Sequence, residues 1–325
     1  MHTHAEIFEM LLQGINQSEL SETDKNKLLK NIHQLQSSQV NLLITGATGV
    51  GKSSTINALY DQNIAKVGVS PNPETMCITR YELGNLIIWD SPGLGDGAEA
   101  DAAHSEAIVA KLHENDEHGN ALIDLVLVLL DGSSRDLGTS FELINKVVIP
   151  NLGEDKSRII VAINQADQAM KGRGWNVAEN RPDDTLRNFL EEKVVSVKKR
   201  IFDGVGISIE PIYFSAGYTD GVQKQSPYNL SKLLYYIVLH TPEHKRLAYV
   251  SNINTEEGNW QHDDGLEDYL NETKKSWAET VTDCAEKGAE LGSNFGLAFG
   301  VKGMEIGDAI GRVLGGAWGV VSGIF

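Results

Sequence analysis

The chain has 325 residues, 41% of them hydrophobic, which is enough for one α/β domain of ordinary size and a smaller appendage. Its formal net charge of −17 argues against broad electrostatic adhesion to nucleic acid or to anionic lipid. Its two cysteines, Cys77 and Cys284, lie far apart without a metal-binding spacing, so we expect a reducing, cytoplasmic setting and no disulfide framework.

The apolar residues that precede residue 38 are spaced as on one face of a helix. This spacing predicts a helical N-terminal extension over residues 1–37. The residues that define it are Ile7, Phe8, Leu11, Leu12, Ile15, Leu28, Leu29 and Ile32.

From residue 38 to residue 245, short apolar runs alternate with amphipathic stretches. The alternation predicts an α/β domain with a six-stranded, mostly parallel sheet and helices on both faces. Gly84 and Asn85 separate the second run from the third, so we expect a hairpin and one antiparallel edge. The predicted strands are Val40–Thr45, Cys77–Leu83, Leu86–Asp90, Leu122–Leu130, Ile159–Ile163 and Ile209–Phe214, and a last helix is predicted over Pro227–Thr241.

A glycine-rich segment follows the first predicted strand and precedes a predicted helix, Ser54–Leu59. It matches the pattern G-x-x-x-x-G-K-[ST], although a purely structural glycine turn is the alternative. The glycines let backbone N–H groups point inward and the helix adds its positive end, which is typical of a phosphate cradle. Lys52 is expected to reach the β- and γ-phosphates and to act in catalysis, and Ser53 to bind Mg²⁺. The expected cradle consists of Gly46, Ala47, Thr48, Gly49, Val50, Gly51, Lys52, Ser53 and Ser54.

The third predicted strand ends in Asp90-Ser91-Pro92-Gly93, which matches the pattern D-x-x-G. In that pattern the aspartate holds Mg²⁺ through water and the glycine amide meets the γ-phosphate. Taken alone, the same four residues also suit an ordinary turn. Within the ordered series, we assign Asp90 to the metal and Gly93 to the nucleotide.

Two further segments follow the fifth and sixth predicted strands. Asn164-Gln165-Ala166-Asp167 resembles the pattern N-K-x-D, whose aspartate accepts hydrogen bonds from guanine N1 and N2. Adenine presents the opposite pattern at that edge, so Asp167 favours guanine. Ser215-Ala216-Gly217 resembles the S-A-x loop that backs the base.

The ordered motifs resemble those of Era-like P-loop GTPases of the translation-factor-related class. Over most of its length the chain is similar to small, often prophage-encoded bacterial GTPases described as 50S-ribosome-binding. The motif match covers roughly residues 40 to 240. The resemblance implies a P-loop NTPase G domain over 38–245 that binds GTP/GDP with Mg²⁺ and hydrolyses GTP. Ribosome association is implied by the family label only.

Ser70–Arg80 lies where this family has its first switch, in which a threonine closes over Mg²⁺ and the γ-phosphate. Thr75 precedes the second strand and is our choice for this metal-binding and catalytic threonine. A proline-rich connecting loop without ligand contact is the alternative.

The chain departs from the family pattern at three positions. Leu94 stands where Ras-like enzymes place a water-orienting glutamine, so water is not positioned in that way. Gly49 replaces the asparagine that potassium-dependent relatives carry, which puts potassium activation in doubt. Gln165 replaces the lysine whose stem packs beside the base, which predicts a weaker nucleotide affinity with the Asp167 selection retained.

Hydrolysis then requires another group. The candidates are Arg135, acting in cis or across a dimer, and His104. Pairing of Arg135 with Asp136 is the structural alternative. For His104, His113 and His118 we expect exposed helix and loop, because their intervals do not suit a metal site.

Beyond residue 245 we predict a linker and helix over 246–283, with an exposed loop to about residue 270, and a glycine-zipper helical tail over 284–325. The glycine spacing lets helix backbones approach closely. Three interpretations stay open: self-association or membrane attachment, a soluble hairpin packed on the G domain, and a disordered tail. The glycines are Gly288, Gly292, Gly296, Gly300, Gly303, Gly307, Gly311, Gly315, Gly319 and Gly323.

Together these features predict a Mg²⁺-dependent GTPase that acts as a molecular switch with slow intrinsic hydrolysis. The alternative is a GTP-binding self-assembly or membrane-associated scaffold module that hydrolyses little; an ATPase is disfavoured by Asp167. The expected partners are guanine nucleotide, a second copy across the nucleotide face, and a membrane or helix reached through 284–325. We expect a cytoplasmic protein; the glycine-rich tail suggests peripheral attachment to the inner membrane as the alternative.

Overall fold

The computed structural model describes residues 38–60, 78–219, 224–250 and 252–287, and in addition short runs and single positions between residues 12 and 33. The side chains of residue 278 and of residues 281–287 lie outside this description. The predictions for Thr75, for most of Ser70–Arg80 and for the glycines from Gly288 onward therefore fall outside the described residues.

Ten strands are described. In chain order they are β1 (Val40–Gly46), β2 (Thr79–Leu83), β3 (Leu86–Asp90), β4 (Leu125–Asp131), β5 (Ile159–Asn164), β6 (Trp175–Asn176), β7 (Arg181–Pro182), β8 (Ile212–Tyr213), β9 (Tyr218–Thr219) and β10 (Lys224–Gln225). Six of them form one sheet in the order β2-β3-β1-β4-β5-β8. All its pairs are parallel except that of β2 with β3, so the predicted sheet and its antiparallel hairpin are confirmed.

The α-helices described are α1 (Lys52–Leu59), α2 (Ala98–Leu112), α3 (Gly138–Glu142), α4 (Asp184–Val205), α5 (Leu230–His240) and α6 (Tyr269–Lys287). α3 continues as a π-helical segment, Leu143–Val148, and a 3₁₀ turn, Ile149–Asn151. Further 3₁₀ segments are Ala166–Gly172, Glu243–Tyr249 and Glu257–Asn259. The Asp183 carboxylate caps the N-terminus of α4 by accepting the Leu186 amide, and Gly206, in the left-handed conformation, caps its C-terminus.

Successive side chains of the central strands enter two cores, one on each face of the sheet. In β1, Leu42 and Ile44 join the core that includes residues of α1 and α5, whereas Leu43 joins the core that includes residues of α2 and α4. Because both faces are covered, these strands consist of nearly continuous apolar runs. Because these strands are parallel, the carboxyl ends of β1, β3, β4 and β5 lie at one edge of the sheet.

Two predicted strands differ from the observed bounds by more than two residues, whereas the others differ by two at most. β4 begins three residues later than predicted, since the Leu122 amide donates to the Glu114 carbonyl at 2.8 Å in the connection after α2. The last strand, predicted over Ile209–Phe214, is only two residues long. Pro211 has no N–H for the ladder, so the pairing starts after it.

The segment after α5 corrects the prediction of an exposed loop. Tyr249 and Trp260 are buried there, within the core that contains α1. The amides of Asn254 and Asn259 donate to the carbonyls of Asn57 at 3.0 Å and Ala58 at 3.2 Å. The polar residues that suggested solvent exposure therefore satisfy the free carbonyls at the end of α1.

Leu12 and Leu29 are helical and pack against the same core, which agrees with the predicted N-terminal extension at these two positions. Within the described part of the chain, no helix combines the length and the apolarity that crossing a membrane requires.

Candidate functional site

The glycine-rich loop between β1 and α1 has the backbone form that its sequence predicts. Gly49 and Gly51 have φ values of 76° and 90°, in the left-handed region that favours glycine. Gly51 immediately precedes α1, whose first turn contains Ser53 and Ser54. The loop therefore ends at a helix N-terminus, where backbone N–H groups and the helix dipole favour a phosphate.

Lys52 is folded back over this loop. Its Nζ donates to the carbonyls of Gly46 at 3.3 Å and Ala47 at 3.2 Å. Burial lowers the pKa of Lys52, while the carboxylates of Asp90 and Asp96 act in the opposite direction. Among the described residues the Lys52 ammonium donates to carbonyls, and a half-buried ammonium held in this way is well suited to receive a strongly anionic ligand.

Asp90, at the end of β3, is buried, and its Oδ1 has no hydrogen-bond partner among the described residues. Burial raises the pKa of Asp90 to about 6, and the charge of Lys52 offsets this only in part. A hard divalent cation, bound directly or through water, would supply the missing partner and favour the ionised carboxylate. Asp90 and Ser53 therefore fit the Mg²⁺ that the motifs imply; Thr75 lies outside the described residues.

The loop that follows Asp90 is tied to the glycine-rich loop by its backbone. Thr48 N donates to Leu94 O at 2.8 Å, and Leu94 N donates to Gly46 O at 3.3 Å. The Leu94 side chain is 5% exposed and packs in the core on the side of α2. Leu94 therefore anchors the loop, and its side chain does not face the phosphate cradle.

The opposite end of the site collects the predicted base-binding residues. The Ser215 hydroxyl donates to Asp167 Oδ1 at 2.6 Å, and both residues are buried. Asn164 donates from Nδ2 to Val50 O at 2.8 Å and accepts the Ala216 amide at 3.0 Å. One buried side chain thus joins the phosphate loop to the base loop and fixes their separation.

Two glutamines complete this end. Gln165, in the left-handed conformation, donates to Gly49 O at 2.9 Å, so the residue that replaces the usual lysine still braces the phosphate loop. Gln168 donates to Asp167 Oδ2 at 2.6 Å. Its amide thereby occupies an oxygen of the carboxylate that we expect to accept guanine N–H groups.

Arg135 lies on an exposed loop after β4, and within the described residues it makes no salt bridge with Asp136 or any other acid. Asp131 Oδ1 accepts the amides of Ser133 at 2.7 Å and Ser134 at 3.2 Å. Lys193 of α4 donates to the carbonyls of Asp131, Gly132 and Ser134 at 3.1, 2.6 and 2.7 Å. Arg135 is thus exposed on a loop that Asp131 and Lys193 hold in place. The alternative of an Arg135–Asp136 pair is wrong.

His104 corrects another prediction, because it is buried rather than exposed. It lies on α2, and its Nδ1 is 2.9 Å from the Gly93 carbonyl oxygen. A metal site with His113 and His118 is absent from the described residues. The sequence did not reveal Gln168, Lys193 or the contact of His104, since each acts on a backbone group or a neighbour that no motif specifies.

Comparisons with known proteins identify the family to which this domain is similar. The family described as 50S ribosome-binding GTPase matches residues 41–165. The probable GTP-binding protein EngB of Metamycoplasma arthritidis is 31% identical over 167 residues, which cover 50% of this chain and 84% of EngB.

The uncharacterized protein YfjP of Escherichia coli K12 is 27% identical over 155 residues, and the match covers 46% of this chain and 50% of YfjP. The chain thus spans about half the length of that relative. Among solved structures, Toc33 from Arabidopsis thaliana has 18% identity and a TM-score of 0.47, with 74% of this chain and 97% of Toc33 covered.

Proposed function

This chain belongs to the P-loop GTPases of the family described as 50S ribosome-binding, and from this premise we propose that it is a Mg²⁺-dependent GTPase that works as a molecular switch. The observation that supports this most is the buried Asn164 bridge between the Val50 carbonyl and the Ala216 amide. It holds a phosphate cradle and a carboxylate for guanine at one fixed separation, as a nucleoside triphosphate requires.

In this proposal the backbone amides of the cradle and Lys52 bind the β- and γ-phosphates. Mg²⁺, when bound, neutralises the charge that these phosphates develop. Ser53 and Asp90 would hold it, with Thr75 as the switch ligand. Asp167 and Ser215 select guanine, because guanine N1 and N2 can donate to the Asp167 carboxylate, whereas adenine presents the opposite pattern at that edge.

Intrinsic hydrolysis is slow in this account, because Leu94 is committed to the core and no glutamine takes the water-orienting place. Arg135 is our candidate for the missing positive charge. It is exposed, and the loop that displays it is held by Lys193. An exposed arginine of this kind reaches a phosphate most directly when a second copy brings it across the nucleotide face.

The test is GTP turnover per molecule as a function of protein concentration. We expect turnover to rise with concentration in the wild type and to stay low and flat for Arg135→Ala. Arg181→Ala is the matched control, because Arg181 is also an exposed arginine and pairs only with Glu179 among the described residues. Turnover that is independent of concentration in the wild type would contradict the dimer-supplied arginine. Tight GTP binding without any turnover would support the scaffold alternative instead.

A further inference from the structure

His104 reaches the D-x-x-G loop from α2. Its ring is 7% exposed, and Nδ1 lies 2.9 Å from the Gly93 carbonyl oxygen. A carbonyl oxygen can only accept, so Nδ1 carries the hydrogen and donates. This buried histidine belongs to no nucleotide-binding motif of the sequence, yet its hydrogen bond ends on the residue expected to meet the γ-phosphate.

The peptide that joins Gly93 to Leu94 is held at both ends. His104 binds its carbonyl, and its N–H donates to Gly46 O at 3.3 Å. There is no space for another residue at this position, because a Cβ on Gly93 would lie 2.6 Å from both Cα and N of Thr48. Gly93 is therefore fixed between the phosphate loop and α2.

The rest of the loop is also held from α2. The Asp101 carboxylate accepts the amides of Gly95 at 2.8 Å and Asp96 at 3.3 Å. Asp96 in turn accepts the Thr48 hydroxyl at 3.0 Å. In contrast, the Gly93 N–H finds no acceptor in the part of the chain that the structure describes. Pro92 precedes it and restricts the backbone on that side.

We propose that His104 is a positioning residue that keeps the Gly93 amide available to the terminal phosphate of GTP and so gives the site its preference for GTP over GDP. The inference rests on the proposed function. Without the His104 bond, the Gly93–Leu94 peptide keeps its N–H bond to Gly46 O at 3.3 Å but loses the restraint on its carbonyl, which can then turn toward the phosphate. GDP has no γ-phosphate, so its binding is insensitive to this change.

Two substitutions of matched shape test the role. Asn and Leu have the same branched outline, but only Asn offers a donor near the position of Nδ1. We expect His104→Leu to weaken binding of a non-hydrolysable GTP analogue about tenfold, as the loss of one hydrogen bond to a charged ligand would. GDP affinity should change less than about twofold, and His104→Asn should restore most of the preference.

The full chain is used, with both affinities measured by fluorescent nucleotide displacement and folding checked by circular dichroism. Equal weakening for GTP analogue and GDP, or a ratio that is unchanged in His104→Leu, would overturn the positioning role. If His104→Leu does not fold, Asp101→Asn is measured instead. This variant removes the charge of the carboxylate that accepts the Gly95 and Asp96 amides, and it is expected to lower the ratio of GTP-analogue affinity to GDP affinity. Failure of the wild type to bind either nucleotide would instead overturn the proposed function.

Discussion

Replacement of Asp90 by Asn should make the nucleotide-free protein more stable while removing its response to Mg²⁺. Asp90 is buried, its Oδ1 has no partner in the part of the chain that the structure describes, and burial raises its pKa from 3.8 to about 6. The folded chain therefore holds a carboxylate in a place that disfavours its charge. Asn keeps the shape and removes the charge.

The magnitude and its sign follow from the pKa. A rise of about 2 pH units corresponds to about 3 kcal/mol, at about 1.4 kcal/mol per unit. Because the pKa is raised on folding, the folded state binds more protons than the unfolded state between about pH 4 and about pH 6. The wild type accordingly loses stability as pH rises through this window, and the loss is complete above it. An unpartnered Asn amide costs on the order of 1 kcal/mol, which leaves a net gain of about 2 kcal/mol at neutral pH.

The assay is urea unfolding of the nucleotide-free protein in EDTA, followed by tryptophan fluorescence from pH 4.5 to pH 8. At each pH, the free energy of unfolding of wild type is subtracted from that of Asp90→Asn. The cost of the Asn amide does not depend on pH, so a change in this difference with pH reports the Asp90 carboxylate alone. Glu117→Gln is the control, because Glu117 is exposed. Its difference from wild type gives the effect of removing one carboxylate at an exposed position.

A difference between Asp90→Asn and wild type that does not grow as pH rises would refute the reasoning, and so would a variant that is less stable at pH 8. The response of nucleotide affinity to Mg²⁺ is measured on the same proteins. Wild-type affinity for GTP should rise when Mg²⁺ is added, whereas the affinity of Asp90→Asn should stay the same. A preserved Mg²⁺ response would mean that Asp90 does not hold the cation.

Three further predictions concern side chains that hydrogen-bond to residues of the site or to the Arg135 loop. Gln168→Leu should raise GDP affinity about fivefold, equivalent to about 1 kcal/mol, because it removes the amide that competes with guanine for Asp167 Oδ2. The release of fluorescent GDP measures this affinity, and slower binding or faster release would contradict the prediction. Gln165→Leu should act in the opposite direction, since it removes the bond to Gly49. Lys193→Met should abolish the concentration-dependent part of turnover and leave GDP affinity unchanged, because it frees the loop that carries Arg135. Lys199→Met is the control, since it removes an exposed ion pair with Asp203. Equal effects of the two variants would contradict the role of Lys193 in holding the loop.

Much of the fold could be predicted from local patterns. The strands β1 and β5 are apolar runs that end in polar, chemistry-bearing residues, and parallel sheets place such ends together. The glycines of the cradle were predictable because few other residues adopt their left-handed conformations. The end of β3 at Asp90 and the hairpin at Gly84 followed from the same kind of evidence.

The errors arose where tertiary contacts outweighed composition. Asn254 and Asn259 look like loop residues, yet their amides satisfy carbonyls about 200 positions away at the end of α1. His104 lies in a hydrophilic stretch, but one face of α2 covers the D-x-x-G loop. The weaker nucleotide affinity expected from Gln165 stays a prediction, and the bond of Gln165 to Gly49 is visible only in three dimensions.

The central claim is that Asp167 and Lys52 form the two ends of one guanine nucleotide site. Competition of GTP and of ATP against fluorescent GDP measures this most directly, for the wild type, Lys52→Ala and Asp167→Ala. We expect GTP to compete far better than ATP in the wild type, both nucleotides to compete poorly in Lys52→Ala, and the difference between them to vanish in Asp167→Ala. Equal competition by ATP and GTP in the wild type would contradict the account.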